Sequence, residues 1–147
     1  MSAISSFMPD LIFLAAQAGY GSFGTTLFKG SLAIIPATLP TGYRAFISFN
    51  RTGGLGEEGT HNLSRDQIAY ERPSAQIVSR ADNPNDAETV IYELFDLYNF
   101  YDMFINGTWW RVCSPKQEPF DLGPDARSRI RYAFNIDSVK RVSPATS

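Results

Sequence analysis

The sequence predicts an α+β protein: an antiparallel or mixed β-sheet with two main helices packed on one face and a β-hairpin, in a single domain over residues 1–147. Three observations carry this. Two segments, one from Phe7 to Ala18 and one from Ala87 to Tyr98, repeat apolar residues at helical spacing. Shorter runs alternate apolar with polar residues, most strictly over Arg129 to Asp137. Finally, Asn106-Gly107 sits between two β-rich runs, a strong short-range hairpin signal. A chain of 147 residues is long enough to bury a core of its own.

The first helix is predicted from Phe7, Leu11, Leu14, Ala15 and Ala18, with Phe13 and Ala16 widening the stripe. Ser6 is its cap, Pro9 fits the first turn, and Gly19 ends it. A Gly-punctuated connection with an apolar run, Leu32 to Ile35, leads to a strand over Tyr43–Asn50. A Gly-rich loop is expected from Arg51 to Asp66. Beyond it two strand-like pieces flank Pro73, which belongs at an edge or bulge because it cannot donate to a ladder. The second helix starts at Asn83, which caps it, with Pro84 in the first helical position and Asp86 near the positive end of the dipole. Ala87, Val90, Ile91, Leu94, Phe95 and Tyr98 form its inward stripe. The hairpin turn sets Phe104 opposite Trp109 and Met103 opposite Trp110. In the last strand Ile130, Tyr132, Phe134 and Ile136 point one way, and the tail from about 141 to 147 is expected to be loose.

Composition narrows the function. The net charge of −2 gives no global signature for nucleic acid or an anionic membrane. The lone Cys113 excludes an internal disulfide and reads as a buried hydrophobe. With His61 as the one histidine, it cannot complete a Cys/His zinc site. No apolar run approaches the roughly 18–20 residues that cross a bilayer, and Met1 to Asp10 lacks the basic residues of a signal leader. A soluble protein is expected, with neither metal nor cofactor.

One motif invites an enzymatic reading. Gly54, Gly56 and Gly59 match G-x-G-x-x-G after a strand. A dinucleotide fingerprint needs a helix to begin inside the motif, so that its amides hold the pyrophosphate. The following "THNLSRDQIAYERP" has no helical stripe, and Glu57 and Glu58 would repel phosphate. A flexible acidic loop is the better reading. His61 with Asp66 or Glu71 lacks a recognisable nucleophile, and Asp121 with Asp125 flanks turn chemistry, so no catalytic residues are assigned.

Charge is instead segregated. Asp82 to Asp102 holds six acidic residues and no Lys or Arg, whereas Arg111 to Ser147 holds seven basic against four acidic residues. Arg127, Arg129 and Arg131 would share one side of the last strand, facing phosphate, facing the acidic helix face, with Glu93 and Asp96, of a second copy, or standing as scattered surface arginines. On this reading, reversing Arg129 and Arg131 to Glu weakens self-assembly and leaves the fold intact.

In order and spacing, "LFKGSLAIIP", a strand ending in "NRTGG", "YERPSAQIVSRADNPNDAETV", "INGTWWRV" and "QEPFDLGPDARSRIRYAFNI" together resemble the minor capsid or tail-terminator proteins of long-tailed bacteriophages. The resemblance runs over nearly the whole chain and implies a non-enzymatic virion protein made in the host bacterial cytoplasm. It would form a ring, commonly a hexamer, that caps the tail tube, stops its polymerisation and joins it to the head-closure complex. DNA would only pass through the lumen, and no membrane is involved. Pro73, Arg80, Ala87, Asn106, Gly107, Pro119, Leu122, Gly123, Asp125 and Arg129 carry the likeness as structural positions. The acidic Gly54–Gly59 segment has no counterpart in it, and the Phe46–Asp66 region that contains it is expected to reach toward a neighbouring ring or subunit. Within the same setting a head-closure or adaptor protein of the neck is the alternative. Outside it stands a small nucleotide- or nucleic-acid-binding domain.

Overall fold

The computed structural model describes residues 7–30, 39–59 and 69–141. Within them the order is α1 (Phe7–Gln17), β1 (Leu27–Lys29), β2 (Phe46–Gly59), β3 (Ala69–Ala81), α2 (Pro84–Leu97), β4 (Phe100–Ile105), β5 (Thr108–Pro115), β6 (Phe120–Pro124) and β7 (Ile130–Arg141). The strands form a single sheet in the order β1-β2-β3-β7-β5-β4, with β6 pairing β7 alongside β5. Every pairing is antiparallel except β1 with β2. The α+β expectation holds. Strands β1 and β6 are additions to it, too short to show a period of their own.

Both helices pack on one face. Ile47, Phe49, Ala75, Ile77, Phe134 and Ile136 from the sheet join Phe7, Leu11 and Ala15 of α1 and Ala87, Val90, Ile91 and Leu94 of α2 in one buried cluster. Fully burying each such side chain is worth about 1.5–3 kcal/mol. Helix α2 follows its sequence signals closely. The Asn83 side chain accepts from the Asn85 amide at 2.9 Å, and the inward stripe is the predicted one, with Phe95 partly buried against Phe134. Helix α1 ends as expected, with the Tyr20 amide donating to Ala15 and the Gly19 amide to Ala16, the paired bonds of a Schellman cap. Its stripe is rotated, however: Met8, Asp10 and Ile12 are buried while Phe13, Ala16 and Ala18 are exposed. The cause is a polar anchor for Asp10, described below.

Three further expectations are corrected. The strand predicted from Tyr43 begins at Phe46 and does not stop at Asn50. It runs on to Gly59, paired with β3 through Gly54↔Pro73, Leu55↔Arg72, Glu58↔Tyr70 and Gly59↔Ala69. The expected Gly-rich loop is therefore, over Arg51–Gly59, the outer half of a long β2–β3 hairpin, and the irregularity between Leu55 and Glu58 takes up Gly56 and Glu57. The two pieces around Pro73 are one strand, and β3 lies between β2 and β7, not at an edge. Pairing to β7 lapses between Glu71↔Lys140 and Ser74↔Asp137, so the missing N–H of Pro73 leaves no gap in a ladder. Its carbonyl accepts the buried Ser138 hydroxyl at 2.8 Å. Last, β7 extends to Arg141. The Leu32–Ile35 run, His61, Asp66 and the tail beyond Arg141 lie outside the described residues.

The hairpin is as predicted. Met103↔Trp110, Phe104↔Trp109 and Ile105↔Thr108 are paired, and Asn106 (φ 49°) and Gly107 (φ 84°) both have the left-handed backbone a primed two-residue turn requires.

Candidate assembly surfaces

The arginines singled out in the sequence do not form an outward ladder. Arg129 precedes β7 and is buried, its guanidinium 5.0 Å from the centre of the Phe46 ring. Arg131 donates from Nε to the Gly123 carbonyl and from Nη2 to that of Leu122, both at 3.2 Å, tying β6 to β7. Arg127 is exposed, but its amide is fixed: the Asp125 carboxylate accepts the Arg127 and Arg129 amides at 2.9 Å each. The other Asp125 oxygen lies 3.6 Å from Arg80. Burial raises the Asp125 pKa, but those amides and the charges of Arg129 and Arg80 outweigh it and hold the carboxyl below its ordinary value. Burial likewise depresses Arg80, against the pull of Asp125 and with the repulsion of Arg131 and Arg129. The cluster clamps the β6–β7 connection onto the helix-free face of the sheet.

The acidic helix face is also partly engaged within the subunit. Arg44 lies 3.7 Å from Asp86 and 3.5 Å from Glu93, and the Tyr20 hydroxyl donates to Glu93 at 2.9 Å. Burial and Glu93 together push the Tyr20 pKa up to about 12. Asp96 is exposed near the C-terminal end of α2. Gly54, Gly56, Glu57, Glu58 and Gly59 lie in the outer half of β2. The structure therefore gathers Arg129 and Arg131 with Arg80 and Asp125, and leaves Glu93 and Asp96 in a separate group.

A second polar group went unseen in the sequence. Asp10 and Lys140 are buried, with Lys140 Nζ 3.7 Å from Asp10 Oδ2, and the same oxygen accepts Trp110 Nε1 at 3.1 Å. Lys140 also lies over the Trp110 ring, and Phe7 stacks on that same ring at 5.6 Å between centroids. Burial raises the Asp10 pKa, against the hydrogen bond of Trp110 and the charge of Lys140. Its signal was present: Lys140 is in phase with the inward residues of the last strand.

Two features stand open among the described residues. On the helix-free face β3, β5 and β7 line an open trough of about 910 Å³, polar along Arg72, Ser74, Gln76, Lys116, Asn135 and Asp137. Next to it, the β4–β5 hairpin exposes Tyr101 (75%) and Phe104 (66%), and Phe104 packs edge-on against half-buried Trp109 at 4.6 Å. Among the described residues no group of three His, Cys, Asp or Glu side chains is placed to hold a metal, and no helix is long and apolar enough to cross a membrane.

The fold and these surfaces define a single-sheet α+β protein with two helices on one face. Comparison with known protein families finds no match, and neither does comparison with curated protein sequences. Among solved structures, the chain is similar to a chain of the virion of a native gene transfer agent particle. The TM-score is 0.50 and the identity 11%, over 87% of this chain and 84% of that one. At that identity the likeness is one of fold.

Proposed function

We propose that this chain is a structural protein of a phage-like virion, and within it a tail terminator: a ring that caps the tail tube, stops its polymerisation and joins it to the head-closure complex. The observation that carries the reading is the shared fold with a chain of a gene transfer agent virion, which spans most of both chains. It agrees with the independent resemblance of the sequence to tail terminators. Self-association with tube and head-closure proteins as further partners also suits a surface that exposes a polar trough and an aromatic hairpin.

The nucleotide-binding reading loses its support. Gly54–Gly59 continues a β-strand where a phosphate loop would turn into a helix. Arg129 and Arg131 are committed to the Phe46 ring and to two carbonyls.

The test is to add the purified protein to growing tail tubes of its own virus and follow tube length by electron microscopy. Shortened tubes bearing a ring at one end are expected. Tubes of unchanged length with the protein bound to the head-side connector would instead identify a head-closure or adaptor protein.

A further inference from the structure

The sheet ends in two different strands, and each carries an unmatched aromatic feature. At the β1 end a tight turn over Ser22–Thr26 presents Phe23, 64% exposed. This turn is built to hold its shape. The Ser22 carbonyl accepts the amides of Thr25, Thr26 and Leu27 at 3.1–3.2 Å, and the Gly24 amide returns to the Leu27 carbonyl at 2.9 Å. Thr26 donates its hydroxyl to the Tyr20 carbonyl at 3.0 Å and accepts the Ser22 amide at 3.2 Å. Gly21 is required there, since a Cβ would fall 1.5 Å from the Thr26 hydroxyl. A polar, cross-braced turn whose single large apolar side chain faces solvent is a knob without a hole. At the β4 end Tyr101, Phe104 and Trp109 form an aromatic patch that nothing among the described residues covers.

We infer that the Phe23 turn of one copy docks on the Tyr101–Phe104–Trp109 patch of the next copy of this chain. The inference rests on the self-assembling reading above and names the surfaces that carry it. Charge supports a second copy as the occupant. Lys29, exposed at the end of the strand that follows the knob, matches Asp102, exposed on β4 between Tyr101 and Phe104 in the chain. The knob precedes the first strand of the sheet order and the patch lies on the last two, so each copy holds both halves of the contact. Such a contact is heterologous and closes into a ring when the rotation between copies allows. The braced turn keeps the ordering cost of docking Phe23 low, and aromatic anchors of this kind dominate interface energetics.

The test uses two exposed-site variants, Phe23→Glu and Phe104→Glu, each with circular dichroism and a thermal melt matching the parent. Absolute mass is measured for the parent, for each variant, and for their equimolar mixture, without tail tubes. Each variant alone should lose the parent's self-association by on the order of tenfold or more in concentration. The mixture should form a complex of two chains and stop there, because the intact patch of one variant takes the intact knob of the other. The parent's mass persisting in either variant would overturn the inference, as would a mixture that stays monomeric. Loss in Phe104→Glu alone would also overturn it, in favour of a two-fold patch-to-patch pair. A parent that is monomeric at every concentration overturns it too. Tube capping is measured separately, so the terminator reading can fail or stand independently.

Discussion

Asp10 and Lys140 show how a single buried pair sets the orientation of a helix. Their charges are out of water, joined at 3.7 Å and braced by the Trp110 indole. Removing one partner of such a pair strands the other. Asp10→Ala or Lys140→Met should therefore cost about 3–5 kcal/mol in urea unfolding, and the double change Asp10→Leu with Lys140→Met much less than the sum of the two. Asp125 plays a different part. Its folded pKa lies below the unfolded value, so its contribution is complete above about pH 4 and is lost as pH falls through the folded pKa. Asp125→Asn should flatten the acid side of the stability profile below that pH while leaving the slope near neutrality unchanged. The clamp also revises one expectation from sequence. Arg129 is buried on Phe46, so Arg129→Glu should unfold the protein, not merely weaken its assembly, and the melting temperature of that variant decides between the two.

At the scale of elements, legibility followed local chemistry. Helix α2 and the β4–β5 hairpin were readable to the residue because their signals are short-range: a capping Asn83, a Pro84, and an Asn-Gly turn whose backbone must be left-handed. Both make direct predictions. Asn83→Ala should cost about 0.5–2 kcal/mol, and Gly107→Ala about 1–2 kcal/mol, each in chemical denaturation. Elements fixed by distant partners were misread. The stripe of α1 turned because Asp10 bonds Trp110, a hundred residues away in the chain. The outer half of β2 looked like a loop because Gly-rich sequence lacks β-propensity, and only pairing with β3 makes it a strand. Pro73, expected at an edge or a bulge, lies inside the sheet, next to an irregularity of β2 and where pairing to β7 lapses, which sequence alone does not show. Of the candidate site, the hairpin pairing was legible, while the exposure of Tyr101 and Phe104 was not. Phe23 carried no signal at all, since one aromatic in a Gly-rich stretch has no period.

For the whole molecule, the arrangement is of one sheet with a face filled by helices and a face left open. The helical face holds the main hydrophobic core, and the opposite face carries the Asp125 clamp and the polar trough. Part of the acidic charge of α2 is met within the subunit by Arg44, and Arg129 and Arg131 are held at the Phe46 ring and at two carbonyls. Self-association through the proposed Phe23 contact should change little with salt, unlike that of exposed ion pairs. The most direct test of the structural-protein account is the absolute mass of the purified chain by light scattering, with negative-stain images of the same peak, alone and after adding tail tubes. The account predicts rings of about six copies, free or seated on one tube end. A monomer in both preparations, with tubes bare and growing unchecked, would contradict it.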